Sequence, residues 1–376
     1  MEFSIFQKDF LRLLRTISGA FASRTTASSH PILNNLLLTA GDGGVEVTAF
    51  DLTLCITLAS SAWVEAPGQT TIPARELLNL VSRFPEEEIK VEQVSALVFL
   101  QTQGQRYSLP TQPATEFPSL PEPQEKLTPL PSSVLSQLGK VGFAARAETS
   151  PSSPLQGINF EWRENTIETA ATDGTRLAMA WMEVERDSVW KDRGRIILPS
   201  RTFQEVGKAL PSGGDPTLCG VEPPFVFFES DSTRISARIL DGAFPGYRAL
   251  VPIDFEHIWA TDREELLDAV SRLTSFGATA AAIGFDPESL RIRLSSLSQN
   301  PGEGKETLLA SPTQGDSPPN LQVNPRLLTD ALKKFDSDQI QIKFNRSPEP
   351  VVLDPPQEQA KEDGGFSYLF MPCNIR

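Results

Sequence analysis

The stretch TIPARELLNLV, residues 71–81, reads as the end of a strand, a proline, and then a helix with one apolar stripe. Proline fits the opening of a helix because its missing N–H would be unpaired there anyway. A similar unit returns as IILPSRTFQEV at 196–206 and as LQVNPRLLTDAL at 321–332. The opening prolines, Pro73, Pro199 and Pro325, are separated by 126 residues both times. An arginine follows each: Arg75, Arg201 and Arg326. The stripes repeat as well, as Leu77, Leu80, Val81 and Phe84, then Phe203, Val206, Gly207 and Leu210, then Leu328, Ala331, Leu332 and Phe335. Each predicts one buried helix face.

Every copy carries an earlier helical stripe. These are Phe10, Leu13, Leu14 and Ile17; Val134, Leu138, Val141 and Ala145; and Leu266, Ala269, Val270 and Leu273. Strand patterns lie between the two helices of a copy. Val45, Val47 and Ala49 alternate with polar residues, and after Asp51 so do Leu52, Leu54, Ile56 and Leu58. TIETAATDGTRLAMAW, 166–181, echoes this, with Asp173 answering Asp51. Further strands are expected at Ile89–Val94 and Ala96–Leu100, and GDGG at 41–44 reads as a hairpin turn. Connectors with Glu116-Phe117-Pro118 and Ala243-Phe244-Pro245 close the first two copies, while FSYLFMP ends the third. A period this long excludes a solenoid. It predicts three similar α+β domains, 1–125, 126–252 and 253–376, with 298–320 as a long exposed loop or hairpin tip in the third.

The totals agree with a globular protein of two or three domains: 376 residues, 39% hydrophobic and 22% charged. No apolar run spans a bilayer, and the N-terminus MEFSIFQKDF lacks a signal-type apolar core, so a cytoplasmic protein without membrane contact is expected. Cys55, Cys219 and Cys373 are odd in number and far apart, which supports neither a disulfide framework nor a zinc site.

Catalytic motifs are missing too. The two histidines, His30 and His257, have no metal-type neighbour, and there is no Walker loop, dinucleotide fingerprint or nucleophile elbow. Neither a cofactor nor a metal is expected. Asp51, Asp173 and Asp241 are the best catalytic carboxylates on offer, but Asp-Gly dipeptides are ordinary turns.

The net charge of −14 argues against nucleic acid as a partner. The distribution argues the other way. The six helical segments sum to +6, which leaves −20 for everything else. Basic residues are good helix formers, and that alone could account for the excess. The sharper reading is a surface of helices that attracts a polyanion while the other faces repel it.

Several stretches together resemble the bacterial sliding clamp family, the beta subunit of DNA polymerase III: HPILNNLLL (30–38), TTIPAREL (70–77), ATDGTRLA (171–178), LDGAFPGYRALVP (240–252) and YLFMP (368–372). They stand in the family's order and cover the chain from end to end. The resemblance implies three clamp domains with helices lining a ring and antiparallel sheets outside. It implies a non-catalytic homodimer that encircles duplex DNA and gives a polymerase processivity. It also implies DNA contacts at Arg24, Arg75 and Arg201, to which the charge pattern adds Arg146 and Lys208. Such contacts hold phosphates without reading sequence. Finally it implies a pocket for short peptides of polymerases and the clamp loader, walled by Leu155, Thr172, Gly174, Arg176, Leu177, Pro245, Leu250, Asn324, Met371 and Pro372. The chain departs from the family at Thr175, Leu327 and its ending CNIR, which bears on the peptide preference. Two other classes remain open from the residues: an acidic β-rich hydrolase using Asp173 with a second carboxylate, and a repeat adaptor that binds only proteins.

Overall fold

The computed structural model describes residues 1–130, 135–137, 139–147, 153–163, 165–184, 194–210, 217–297, 303–315, 318–346, 349–359 and 364–373, with Arg24 and Thr25 described by backbone alone. The chain forms two compact units, each assembled from two separate stretches of sequence.

The first unit comprises Met1–Leu135 and Arg201–Ile239. One of its sheets has five strands in the order Trp63–Ala66, Glu2–Phe6, Glu88–Val94, Leu97–Gln101, Arg106–Pro110. The other has eight, in the order Thr128–Leu130, Thr217–Glu222, Phe225–Ser230, Thr233–Arg238, Leu54–Ser60, Gly44–Phe50, Asn35–Gly41, Gly68–Pro73. Strands far apart in sequence join here, because Leu54–Ser60 pairs with Thr233–Arg238. Helix α1 (Gln7–Ile17) buries Phe10, Leu13, Leu14 and Ile17, the stripe expected from their spacing. The short α2 is Arg24–Ser29, started by Ser23, whose hydroxyl accepts from the N–H of Thr26 at 3.1 Å. Helix α3 is Ala74–Val81, and Gln7 at the head of α1 donates from Nε2 to the carbonyl of Val81 at 2.8 Å. That bond satisfies a carbonyl of the last turn of α3, which has no partner within the helix. Helix α4 is Ser200–Ala209, joined to this unit from Arg201 onward.

Three expectations change in this unit. Gly207 is exposed, and the buried face of α4 is made by Thr202, Phe203, Glu205 and Val206, with Leu210 just beyond. Leu52 is not a strand residue: it holds φ +74° in the turn before Leu54. The alternation at 45–58 is real, but Thr48 and Thr57 are buried too and hydrogen-bond each other at 2.9 Å. Both faces of these strands are covered, so polar residues inside must pair.

The second unit comprises Ser136–Ser200 and Leu240–Arg376. Its single sheet has twelve strands among the described residues. They run Gly194–Pro199, Gly157–Arg163, Thr166–Thr172, Arg176–Glu183, Gly364–Phe370, Val351–Asp354, Gln339–Phe344, His257–Asp262, Lys305–Gln314, Arg291–Leu297, Ala280–Asp286, Leu321–Val323. Arg176–Glu183 against Gly364–Phe370 is again a long-range pairing. Helices α5 (Arg263–Ser275) and α6 (Pro325–Leu332) pack on each other, and Leu266, Ala269, Val270, Leu273, Leu328, Ala331 and Leu332 are buried as expected. Asp262 caps α5, accepting from Glu265 N–H at 2.8 Å, and Asn324 caps α6, accepting from Arg326 N–H at 3.0 Å.

Two corrections belong here. The expected helix near 131–146 is, in its described part, α-helical at 135–137 and a 3-10 helix at Gly139–Ala144, where Val141 and Ala144 rather than Ala145 turn inward; Val134 and Leu138 lie outside the described residues. The segment 298–320, expected as a long exposed loop or hairpin tip, contains a ten-residue strand, Lys305–Gln314, which pairs on one side with the preceding strand Arg291–Leu297 and on the other with His257–Asp262. Leu308 and Ala310 alternate inward, a pattern hidden by flanking Gly, Pro and Ser.

Candidate functional site

One turn recurs in each third of the chain. Asp51 Oδ1 accepts from the N–H and hydroxyl of Thr53 and from the N–H of Leu54, at 2.9, 2.7 and 2.7 Å. Asp173 Oδ1 does the same with Thr175 and Arg176, at 2.9, 2.7 and 3.2 Å. Asp286 Oδ1 accepts from the N–H groups of Glu288 and Ser289. This is the side-chain turn that aspartate favours. A residue with positive φ directly follows the aspartate in the first two, Leu52 at 74° and Gly174 at 98°; in the third the positive φ comes later, at Leu290, 52°. The second oxygen takes an arginine every time, from Arg201, Arg176 and Arg293 respectively.

These contacts answer the hydrolase reading. Burial opposes ionisation of Asp173, but the donors from Thr175 and the Arg176 guanidinium outweigh it, so the carboxyl is held below its ordinary value. A group that keeps its charge and spends both oxygens on neighbours is poorly placed for general acid work. Asp241 is exposed in a turn with Gly242, where φ is +115° and a Cβ would fall 2.8 Å from Pro154 Cγ. Among the described residues, no group of three or more His, Cys, Asp or Glu side chains could hold a metal ion. Cys55, Cys219 and Cys373 are free thiols, and burial pushes Cys55 and Cys219 up to about 12.

The expected DNA residues divide by what they touch. Arg75 is exposed and donates to the carbonyl of Ala22 at 3.1 Å. Arg146 is exposed and donates to the carbonyl of Asp173 at 3.1 Å. Both partners are neutral, so both arginines keep their full charge. Arg201 is different. Its Nη1 pairs with Asp51 at 2.9 Å and its Nη2 donates to the carbonyl of Gly19. Lys208 pairs with the buried Glu205 at 2.7 Å. A Cβ on Gly19 would fall 1.8 Å from Glu205 Oε2, so a larger residue there would displace the Glu205 side chain. Arg75 and Arg201 thus hold two carbonyls, of Ala22 and Gly19, in the segment that enters α2, whose first residue is Arg24. The side chain of Arg24 lies outside the described residues.

The expected pocket residues all fall in the second unit. Thr172 pairs with Leu177 across the turn, Leu177 with Leu369, and Arg176 with Phe370. The Thr172 hydroxyl donates to the Arg176 carbonyl and accepts from Gly174 N–H at 3.1 Å. Past the last strand, Met371 N–H donates to Thr175 O at 3.0 Å and Cys373 N–H to Gln322 O at 2.6 Å. Met371 and Pro372 are therefore strung between the turn and the strand that leads to Asn324. Arg176 bridges Asp173 and Asp330 of α6, at 2.9 and 3.1 Å. Leu177 is 2% exposed in a cluster with Phe244, Tyr247, Val352 and Leu369, so it is core. Leu250 and Met371 are 61% and 41% exposed and offer apolar surface. Pro245 is exposed beside Phe244, and Leu155 is half-buried with its carbonyl on Arg146 N–H.

Family models for the DNA polymerase III beta subunit match nearly the whole chain: the N-terminal domain at residues 1–121, the central domain at 130–246 and the C-terminal domain at 248–374. The chain belongs to the DNA polymerase III beta subunit family. The beta sliding clamp of Synechococcus elongatus is 30% identical over 381 residues, covering 98% of each chain. That of Streptomyces coelicolor is 26% identical, covering 96% of this chain and 97% of its own. Among solved structures, the DNA polymerase sliding clamp of Bacillus subtilis aligns over 100% of both chains with a TM-score of 0.86 at 23% identity. A Pseudomonas aeruginosa sliding clamp solved bound to griselimycin aligns over 100% of both chains with a TM-score of 0.84 at 22% identity. As in these clamps, the fold is three repeated domains of mostly antiparallel sheet with few helices.

Several residues that shape these sites escape the sequence reading. Asp330 completes the bridge to Arg176, Glu205 neutralises Lys208, and Asp51 neutralises Arg201. Only the last had a signal, since Asp51 aligns with Asp173 by pattern. The others meet their partners through tertiary contacts or a single helix turn, which charge counting treats as independent.

Proposed function

We infer that this chain works as a DNA sliding clamp: two copies close into a ring around duplex DNA and tether the replicative polymerase, without catalysing a reaction themselves. Family membership across all three domains carries this reading. Its partners are double-stranded DNA, a second copy of the chain, and polymerase and clamp-loader subunits that dock through short peptide motifs. The place of action is the cytoplasm. No helix among the described residues is long and apolar enough to cross a membrane. The repeat boundaries are placed near 125 and 252, inside the two proline-rich connectors.

The DNA-facing set is Arg24, Arg75, Arg146, Arg201 and Lys208. Support is strongest for Arg75 and Arg146, which have no carboxylate partner among the described residues. The peptide site is the surface around Leu250, Met371, Pro372 and the Thr172–Arg176 turn, with Leu177 in the core beneath it and Leu155, Pro245 and Asn324 at its margin. Topological retention tests the function. Protein loaded on a nicked circular plasmid should stay bound through gel filtration and run off once the circle is linearised. Equal loss from both DNA forms would refute encirclement.

A further inference from the structure

The two units share a row of three strands under a connector, and they fill the space between differently. In the second unit the row is Leu177, Leu369 and Val352, side by side in register. Phe244 and Tyr247 of the connector close over it, edge to face at 5.9 Å. In the first unit the row at the same place is Cys55, Ser236 and Phe227. Cysteine and serine stand where leucines stand in the other unit, and the connector brings Phe117 and Leu120 instead of Phe244 and Tyr247. Less side-chain volume on both floor and roof leaves a cavity of about 280 Å³ between the strands and the connector segment Leu120–Pro123.

The roof is fixed rather than collapsed. Leu127 seats on Gly220, where a Cβ would fall 2.5 Å from its Cδ2. The N–H groups of Gln124 and Glu125 both donate to the Glu222 carboxylate at 2.9 Å. Pro121 and Pro123 have no N–H to add to a sheet, so the segment stays a lid held at its ends. A close-packed interior closes such a gap unless something holds it open.

We propose that this cavity is a second peptide-docking site, which takes one large apolar side chain of a partner segment with a Lys or Arg next to it. Its volume is just below the range of small-ligand pockets and suits one or two such side chains. The charge at its mouth supports the basic neighbour: Glu122 and Glu229 line it, while Arg234, its cation, is already paired with Glu46 at 2.9 Å. The proposal rests partly on reading the matching place in the second unit as a peptide site.

Methyl NMR of the full-length dimer, titrated with acetyl-Lys-Leu-Phe-amide, tests it. The Leu120, Leu127 and Ile235 methyls should shift, independently of those of Leu250 and Met371. Ser236→Leu fills the cavity and should weaken this response by about tenfold or more. Glu122→Lys, an exposed change on the lid that leaves the sheet untouched, should weaken it several-fold. Silence of the three methyls at millimolar peptide, or an undiminished response in Ser236→Leu, overturns the site. Equal binding of acetyl-Leu-Phe-amide, with no effect of Glu122→Lys, overturns the basic partner. Should the cavity methyls respond while Leu250 and Met371 stay silent, the peptide reading of the second unit fails and this site stands.

Discussion

Asp51→Asn separates two roles for Arg201. The Asp51 side chain is 6% exposed and that of Arg201 is 31% exposed, with 2.9 Å between them. Asparagine can still cap the turn, because one oxygen suffices for the donors from Thr53 and Leu54. The other oxygen becomes an amide that meets the guanidinium donor to donor. A charge-assisted hydrogen bond contributes about 1.5–3 kcal/mol, and losing one partner of a fully buried pair costs about 3–5. Partial exposure of Arg201 screens the pair, so about 2 kcal/mol is the reasonable figure here. For a unit of this size that lowers the melting temperature by about 4–8 °C. If Arg201 is a strut that sets Gly19 and the approach to Arg24, the variant melts early and loads on DNA less well. If Arg201 is a free phosphate contact, removing Asp51 uncovers a cation. Loading then rises at low salt, and its salt dependence steepens by about one unit of slope. Differential scanning fluorimetry and loading at several salt concentrations distinguish these. An unchanged melting temperature with a steeper slope would refute the strut.

Arg75→Ala and Arg146→Ala should each flatten the salt dependence of loading by about 0.9 units and leave the melting temperature nearly unchanged, since each gives up only a bond to a neutral carbonyl. Lys208→Ala should lower the melting temperature by a few degrees in the same fluorimetry, because it strips the buried Glu205 carboxylate of its cation. Leu177→Ala should cost about 2–5 kcal/mol of stability by opening a core cavity, read from the thermal transition. Met371→Ala should leave the transition alone and weaken a polymerase tail peptide about tenfold or more in a titration. The lowered Asp173 pKa implies a stabilisation that is complete above its ordinary value of 3.8 and is lost as pH falls through the lower folded value. Asp173→Asn removes it at neutral pH, so the melting temperatures of variant and parent should converge on acidification below that point. A gap that persists would mean the turn owes nothing to the charge.

What the sequence made legible was local. The stripes of α1, α3, α5 and α6 are set by one spacing, and their apolar residues are buried where the period puts them, apart from the half-buried Leu80. Asp173 and Asp51 matched by pattern because both turns need the same oxygen two residues before a donor pair. The strand at Lys305–Gln314 was hidden, because Pro and Gly around it read as loop and one of its two partners, His257–Asp262, is distant in sequence. Gly207 shows the limit of periodicity: a position at the right phase of α4 but at the edge of its buried arc stays in solvent. The peptide residues could be named by resemblance, yet their exposure could not. Leu177 and Met371 both look like apolar anchors in sequence, and only packing separates a core leucine from a surface methionine.

The charge of the helices needs the same correction. Arg12, Lys140, Arg201, Lys208, Arg263 and Arg272 each have a carboxylate partner within the chain. Their contribution to an external field is largely spent before DNA arrives. Lys8, Arg15, Arg75, Arg83, Arg146, Arg326 and Lys333 are exposed and have no carboxylate partner among the described residues. A count of +6 is therefore a poor guide to where phosphates are drawn, and the list of uncancelled cations is a better one. The overall −14 does not work against them at close range. At physiological salt, charges further than about 8 Å are largely screened. A phosphate beside Arg75 responds to the charges nearest it and not to the net charge of the whole chain.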